Sequence, residues 1–469
     1  MSAGNRAIQA ALEGEAEEAR FARDFAKARR WYRASTLDVF DRQAAGGAAW
    51  VAPARVALEA AVRDWMEEPR RSGDEPMIIW REAQRAIQLG CGDALVLYVH
   101  AQNLAVLEKN NTSQIAQAAR AAAKAMENSA YPPVRKFYAA MRGAEHVAAA
   151  LAKSEQDKSE VARFVERGQG LFGQVIADPE LPRIQLIDMF KMIGDVSLTI
   201  YGDRRKLTAP MFDAASASKI DRSSLLTVQG VFNIGYAWDA RGTGMASTIT
   251  PDMDKAMTQR VEKAQKALEE AWNLDPSNSY AAAAMIEVEL LQGKGRGRME
   301  LWYQRAMAAN PDNIEACRHK LNYLQPKWYG SVEDMVSFGR QCAATGNWEA
   351  GLPMILVDAH RDAAHYTEGG YSSRLKTIYL RSDAAVWHDI DSVLSQAMER
   401  GPRSDFRKLR FAQLAAWSHH WAEADRLFRE VGDLYDPRVY STQKKENEDR
   451  AAAAAHVHGG AASEPAEGL

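Results

Sequence analysis

The chain has 469 residues, of which 46% are hydrophobic and 26% are charged. This length argues against one compact core and for several units or one long repeat array. Lys and Arg total 59 against 62 acidic residues, giving a formal net charge of -3, which excludes a global attraction to nucleic acid or to an anionic membrane. No run of about 18 apolar residues occurs, so no membrane-spanning helix is predicted.

The chain starts with MSAGNRAIQAALEGEAEEARF, which lacks the apolar core of a signal peptide. We therefore expect a cytoplasmic location, or a periplasmic or secreted one if an export signal has been removed. The three cysteines, Cys91, Cys317 and Cys342, are odd in number and have no C-x-x-C spacing. They predict free, buried thiols in a reducing compartment.

The first part of the chain, residues 1–205, has the apolar spacing of amphipathic helices that form loose hairpins. Asp93 is a predicted N-cap, and Gly90 and the Pro132-Pro133 pair are predicted helix ends. Helices are predicted over residues 6–45 (as one or two helices), 53–67, 79–90, 94–107, 115–126, 134–151, 159–176 and 184–201.

Residues 203–224 are polar and rich in Ser, Ala and Asp, which predicts a domain boundary or a long connection. A repeat region is expected over 225–440, and residues 441–469 have little to bury and are predicted to be a disordered tail. No part of the chain sustains the period-2 pattern of a β-strand. The sequence therefore predicts an all-α fold.

The clearest periodicity lies between residues 254 and 311. Ala264, Leu268, Ala271 and Pro276 are spaced 4, 3 and 5 residues apart, and Met299, Tyr303, Ala306 and Pro311 repeat that spacing 35 residues later. Small residues let two helices approach closely, a large residue fills the space between them, and proline ends the helix. A period of about 34 residues is typical of stacked helical hairpins.

This cadence resembles the tetratricopeptide repeat (TPR) family, which implies an α-solenoid of antiparallel helical hairpins. The family template gives two helices per repeat, with small and large residues at fixed places. In the first repeat these places are Val231, Ile234, Gly235 and Trp238, then Ala264, Leu268, Ala271 and Pro276, with an inserted loop over 239–253 between the helices. In the second they are Ala282, Met285, Ile286 and Glu289, then Met299, Tyr303, Ala306 and Pro311.

The third repeat would have Met335, Phe338, Gly339 and Cys342 on its first helix, and Gly351, Ile355 and Asp358 on its second. A degenerate last repeat would include Phe411, Ala412 and Ala415, then Ala424, Phe428 and Val431. The chain departs from the template at Glu289, where an aromatic residue is usual, and at Asp358, where a small one is usual. The segments PKWYGSVEDMVSF and NWEAGLP also resemble an uncharacterised bacterial domain family that is found beside such repeats.

The resemblance implies a concave groove lined by the first helix of each repeat, which suits an extended peptide or a helix of a partner. The residues at the groove-facing places are mixed aromatic and charged. They are Gln229, Phe232, Tyr236 and Asp239 in the first repeat, Tyr280, Ala283, Glu287 and Leu290 in the second, and Glu333, Val336, Arg340 and Ala343 in the third. The alternative is that the aromatic side chains pack against neighbouring helices.

Asp358, Asp362 and His365 have the i, i+4, i+7 spacing that places three side chains on one helical face. Such a set suits a metal ion or acid–base chemistry, whereas His360 points elsewhere on that helix. Because no second helix offers a partner cluster, a polar helix face is the alternative interpretation. Asp358 would need a partner if it were buried.

Two glycine-rich segments have simpler explanations than phosphate binding. Gly168, Gly170 and Gly173 spell G-x-G-x-x-G, but a helical pattern rather than a strand precedes them, which favours a tightly packed or kinked helix. GKGRGR, over residues 293–298, offers Lys294, Arg296 and Arg298 on a turn, but no Gly-Lys-Ser/Thr follows. A solvated turn between paired helices is the favoured interpretation.

Three hypotheses of function follow. The first is a scaffold without catalysis, cofactor or metal that holds a protein or peptide in the groove. The second is a metal-dependent or acid–base enzyme with a site around Asp358, Asp362 and His365 and the 239–253 loop as a lid. The third is an architectural subunit that self-associates through an uncapped end of the array.

Overall fold

The structure, a computed structural model, describes residues 25–44, 46–66, 73–108, 110–151, 159–242, 244, 248–366, 373–400 and 404–459. Within these ranges the regular secondary structure is helical, and no strand occurs there. The prediction of an all-α fold is confirmed for this part of the chain. None of the helices in these ranges is long and apolar enough to cross a membrane.

The chain divides into two compact units. The first consists of Met1–Glu67 and Ile78–His319, and the second of Glu68–Met77 and Lys320–Leu469. Helices α1 to α15 are residues 25–34, Leu37–Gln43, Val51–Trp65, Glu75–Gln88, Ala94–Leu107, Thr112–Glu127, Pro133–Leu151, Ser159–Ile176, Arg183–Tyr201, Arg205–Ser216, Arg222–Arg241, Pro251–Leu274, Ser279–Gln292, Arg296–Ala309 and Ile314–Tyr323. Helices α16 to α22 are Val332–Ala344, Met354–Ala363, Ser373–Ser382, Ala384–Arg400, Asp405–Trp417, Trp421–Val431 and Gln443–His458.

Local signals set most helix ends. Asp93 caps α5 as predicted, because its Oδ1 accepts hydrogen bonds from the backbone N–H groups of Leu95 at 2.9 Å and Val96 at 3.1 Å. Thr250 caps α12, which has Pro251 at its first position. At the other end, Gly293 closes α13 in the left-handed conformation, with φ 63°.

Neighbouring helices of the first unit pack side by side. The pairs are α5/α6, α7/α8, α9/α10, α11/α12 and α13/α14, and the first helices of successive pairs also contact each other, in the order α7, α9, α11 and α13. The helix pairs predicted for residues 225–311 are therefore present. The superhelical course of the array and its membership of the repeat family stay predictions.

Two glycines decide how closely helices approach. A Cβ atom at Gly339 on α16 would lie 2.8 Å from the Cα of Leu356 on α17, so this glycine lies where the two helices approach closely. In α11 the close residue is Gly230, where a Cβ atom would lie 2.3 Å from Cγ of Leu268, whereas the nearest atom to a Cβ at Gly235 is 3.8 Å away. The close approach on α11 therefore lies five residues before the glycine that the repeat template assigns to it.

Two helix boundaries of the predicted repeats also differ. The inserted loop predicted over residues 239–253 is shorter, because α11 continues to Arg241 and α12 begins at Pro251. In the third repeat α17 begins only at Met354. Gly351, which the template places on that helix, therefore lies in the preceding turn, with φ 75°.

The domain boundary predicted at 203–224 is wrong, because the chain forms helix α10 there and the division between the units falls after His319. Leu207, Met211 and Ala215 are buried at four-residue spacing on α10. This apolar face packs against α9 and α8, although the composition of the segment is polar. Periodicity was therefore the better guide, because a helix needs only one apolar face.

The prediction of disorder over 441–469 is wrong for residues 443–458, which form α22 and pack against α21 and α20. Polar contacts hold this helix where apolar residues are few. Asp449 accepts hydrogen bonds from the hydroxyl of Tyr440 at 2.8 Å and from the indole N–H of Trp417 at 3.1 Å. Residues 460–469 and the predicted helical segment before residue 25 lie outside the described residues.

Candidate functional site

Phe232 and Tyr236, two predicted groove residues on α11, stack with ring centroids 5.7 Å apart and an interplanar angle of 24°. Arginines from other helices cover the tyrosine ring. The guanidinium of Arg260 on α12 lies 3.3 Å from the ring centroid, and that of Arg205 on α10 lies 5.9 Å away. The hydrogen bond to Tyr236 raises the pKa of Arg205. This is a cation–π cluster within the protein.

The carboxylates predicted to line the groove are engaged by other side chains. Asp239 lies 2.8 Å from Nε of Arg204, and Glu287 accepts a hydrogen bond of 2.6 Å from the indole N–H of Trp238. Gln229 is half-buried. These contacts tie α11 to α10 and to α13, so the two charges serve packing within the first unit.

Tyr280 lines a cavity of about 180 Å³ in the first unit. Three consecutive first helices contribute to its wall, with Ile184 on α9, Ser224 on α11, and Ser279 and Tyr280 on α13, and apolar, charged and polar side chains complete it. The other lining residues are Phe25, Lys27, Ala28, Met66, Leu181, Pro182, Arg183, Asp221 and Ser277.

Arg183 is fixed at the edge of this cavity. Its Nε donates to the hydroxyl of Ser224 at 2.8 Å, and its Nη2 lies 2.8 Å from Oδ2 of Asp275. Burial of Asp275 acts against ionisation, but hydrogen bonds from Ser277 and Arg183 outweigh it and hold the pKa of Asp275 below its ordinary value. The guanidinium is thus held in place by neighbours that are themselves well ordered by hydrogen bonds.

In the second unit, Arg340 lines a cavity of about 360 Å³ between α16 and α19. Nε of Arg340 lies 2.9 Å from Oδ2 of Asp389, and the same oxygen lies 3.0 Å from Nε2 of His360. The other ring nitrogen of His360, Nδ1, lies 3.0 Å from the hydroxyl of Tyr379. Four helices, α16 to α19, therefore meet in one hydrogen-bonded chain.

The protonation of this chain follows from its surroundings. Burial lowers the pKa of His360, which is 1% exposed, and the hydrogen bond to Asp389 opposes that shift only in part. Burial and the charge of Asp389 raise the pKa of Tyr379 to about 12. A neutral His360 then donates from Nε2 to the carboxylate and accepts at Nδ1 from the tyrosine hydroxyl.

The hydrogen-bonded chain of Arg340, Asp389, His360 and Tyr379 could not be predicted from the sequence, because no local residue spacing indicates it. His360 was expected to point away from the face of Asp358 and Asp362, which is correct, but its partners come from other helices. Asp389 and Tyr379 lie 29 and 19 residues further along the chain. Only the packing of α17 against α18 and α19 brings the three side chains together.

Asp358, Asp362 and His365 do not form a metal centre. Asp358 is half-buried and pairs with Arg361 at 3.0 Å, while Asp362 accepts a hydrogen bond of 2.9 Å from Gln325. Burial, followed by the charge of Asp358, raises the pKa of Asp362. Across the part of the chain that the structure describes, no three His, Cys, Asp or Glu side chains are placed to hold a metal ion.

The glycine-rich segments have structural partners. Gly168 lies inside α8, where a Cβ atom would be 2.5 Å from Sδ of Met141, so this helix is tightly packed as predicted. In the other segment, Arg298 binds the carboxylate of Glu289 with Nε at 2.9 and 3.0 Å. Glu289 is fully buried, and Arg298 supplies the partner that its buried carboxylate requires.

The three cysteines are free and buried, as predicted. The histidines near the end of the chain lie on α22. His456 stacks on Trp421 with ring centroids 4.5 Å apart, and Nε2 of His458 lies 3.1 Å from Oδ2 of Asp425. Both histidines therefore help to attach α22 to α21.

No protein-family model matches the chain, and a search of the curated proteins finds no match. The candidate sites therefore stand on their geometry alone.

Proposed function

We propose that this protein acts by binding a protein or peptide partner, and that the first unit receives it at the cavity lined by Tyr280. The observation that carries the proposal is the origin of the cavity wall. Side chains near the N-terminal ends of three successive first helices, α9, α11 and α13, line one cavity. Stacked hairpins can offer a binding surface of this kind to an extended segment.

The chemistry of the wall supports a peptide as occupant. Leu181, Pro182 and Ile184 supply apolar surface, while Lys27, Arg183 and Asp221 supply charged groups of both signs. An apolar surface with a few placed polar groups is what fixes the orientation of a bound segment. The volume of about 180 Å³ suits one side chain of a partner rather than a whole small-molecule ligand.

The test is affinity capture from a lysate with wild type, Tyr280→Ala and Tyr201→Ala, quantified by mass spectrometry. Tyr201 is the matched control, because it is 46% exposed at the C-terminal end of α9, away from the cavity. We expect Tyr280→Ala to weaken binding of the specific partner by roughly tenfold or more, since a buried tyrosine anchor contributes on that scale. Tyr201→Ala should bind as the wild type does.

A captured partner is then cut into overlapping peptides, and each peptide is titrated against the three proteins by calorimetry. Peptide binding that Tyr280→Ala weakens and Tyr201→Ala preserves supports the proposal. Equal affinity for all three proteins, with unchanged helical circular dichroism, argues against binding at this cavity.

A further inference from the structure

The cavity of the second unit has two chemically different sides. One ridge of α19 presents polar side chains every fourth residue, at His388, Ser392, Gln396 and Arg400. The opposite side combines Arg340 with apolar surface from α16, α17 and the turn between them. The volume of about 360 Å³ lies within the range of about 300–1,000 Å³ that is usual for small-molecule sites.

Positive charge predominates among the lining residues. Two arginines, Arg340 and Arg400, line the cavity together with one carboxylate, that of Asp389. The carboxylate of Asp389 already pairs with Arg340 and accepts a hydrogen bond from the neutral ring of His360. No carboxylate among the described residues pairs with Arg400, which is exposed on the last turn of α19. One positive charge is therefore in excess among the residues that line the cavity.

The guanidinium of Arg340 is held in position by protein contacts before a ligand binds. Its contact with Asp389 uses Nε, and neither terminal nitrogen of its guanidinium has a hydrogen bond to another described residue. Asp389 is in turn held by buried His360, which Tyr379 holds from the other side. A guanidinium fixed through Nε loses less conformational entropy when its terminal nitrogens bind an oxyanion.

We propose that the cavity between α16 and α19 binds a small molecule that carries a carboxylate or phosphate group on an apolar body. Arg340 binds the anionic group through its terminal nitrogens, Arg400 adds a second positive charge to the cavity wall, and Trp348 and Val393 contact the apolar part. Guanidinium groups suit both anions, because their paired N–H donors match two oxygens of either group. This site does not depend on peptide binding in the first unit.

The experiment uses the full chain labelled with 5-fluorotryptophan and observed by fluorine NMR. The chain has 12 tryptophans, and Trp348→Phe identifies the resonance of Trp348. Benzoate and phenyl phosphate are the two anionic probes, and benzyl alcohol is the neutral probe of similar size. We expect a saturable shift of the Trp348 resonance with at least one anion at about 1 mM, and none with benzyl alcohol. The stronger anion identifies the group that the site prefers.

Two variants separate a site from general attraction to positive charge. Arg340→Gln removes the guanidinium that binds the anion and should weaken binding of the preferred anion roughly tenfold. Lys444→Gln removes the same charge at a position on α22 that is 86% exposed, and it should leave the affinity unchanged. The proposal is overturned if neither anion shifts the Trp348 resonance, if benzyl alcohol shifts it equally, or if Arg340→Gln binds as the wild type does.

Discussion

Two hairpins, one in each unit, use glycine in different ways. In the first unit, Gly230 on α11 faces the end of a leucine side chain on α12, whereas in the second unit Gly339 on α16 faces the backbone of α17. A side chain can move by changing its rotamer, but a helix backbone moves only as a whole. The same small residue therefore sets a side-chain packing arrangement in one hairpin and the distance between two helices in the other.

The largest effect is expected for Gly339→Ala. The new Cβ atom would lie 2.8 Å from Cα of Leu356 and 3.2 Å from Cβ of Ala359, so α16 and α17 must separate. We expect a loss of about 3 kcal/mol in the free energy of unfolding, as for overpacked cores. Hydrogen exchange of peptides from α16 and α17 measures it. Unchanged protection of both helices would show that α16 and α17 accommodate the added methyl group without separating.

Gly230→Ala is expected to cost somewhat less, about 2 kcal/mol, because the nearest atoms belong to the Leu268 side chain. The control is Gly235→Ala on the same helix, where the nearest atom is 3.8 Å from the new Cβ. That change should be neutral or stabilise α11 by up to about 1 kcal/mol. Hydrogen exchange of α11 and α12 compares the two variants. A larger loss of stability for Gly235→Ala than for Gly230→Ala would show that Gly235 is the close residue, as the repeat template predicts.

Acidification should distinguish the hairpins, because α17 contains buried His360 whereas residues 222–274 contain no histidine. The pKa of His360 is lowered from an ordinary value of 6.5, so below that pH the unfolded chain binds a proton that the folded chain does not. The stability from neutral His360 is present above pH 6.5 and decreases as the pH falls towards the folded pKa. The slope is at most about 1.4 kcal/mol per pH unit.

The measurement is hydrogen exchange of α16–α17 and α11–α12 at pH 7 and 5.5, corrected for the intrinsic exchange rate. The protection of α16–α17 should decrease more. His360→Gln should remove the difference in pH dependence between the two hairpins. Asp362 cannot cause the loss of protection, because its raised pKa stabilises the folded chain as the pH falls. Equal pH dependence in His360→Gln and wild type would contradict this account.

The smallest effect concerns α8, where neighbouring glycines have different surroundings. A Cβ atom at Gly170 would have no neighbour within 4 Å, so Gly170→Ala should stabilise the protein by about 0.5–1 kcal/mol through helix propensity. Gly168→Ala should destabilise it instead, because Sδ of Met141 lies 2.5 Å from the new Cβ. Urea unfolding followed by circular dichroism compares them. Stabilisation by both changes would show that the contact with Met141 does not constrain α8.

Much of the helical framework could be predicted because helix signals are local. The predicted helices over 94–107 and 159–176 have the observed ends, and those over 134–151 and 184–201 begin one residue later than the observed helices. Capping residues, prolines and apolar spacing all act within one or two turns. The sequence could not show which glycine of α11 lies closest to α12, because Gly230 and Gly235 are both small. Only the facing residue Leu268 distinguishes them.

The candidate sites could be predicted only in part. Tyr280 and Arg340 were expected to face a partner, and each lines a cavity. Tyr236, Asp239 and Glu287 were expected to line a groove, but they contact arginines or a tryptophan of neighbouring helices. The position of a residue in the repeat template predicts the direction in which its side chain leaves the helix. The residues that this side chain contacts depend on which helix packs against that face.

By itself, the sequence determined the all-α class and most helix boundaries, since these depend on apolar period and on residues within a few positions of each helix end. Only the tertiary structure decided that α10 and α22 pack as helices, that the units divide after His319, and that His360, Asp389 and Arg340 form one network. Each of these depends on residues far apart in the chain, whose contacts form only when whole helices pack together. A helix face with few apolar residues carries no strong local signal, yet hydrogen bonds and ion pairs to its neighbours hold it in place.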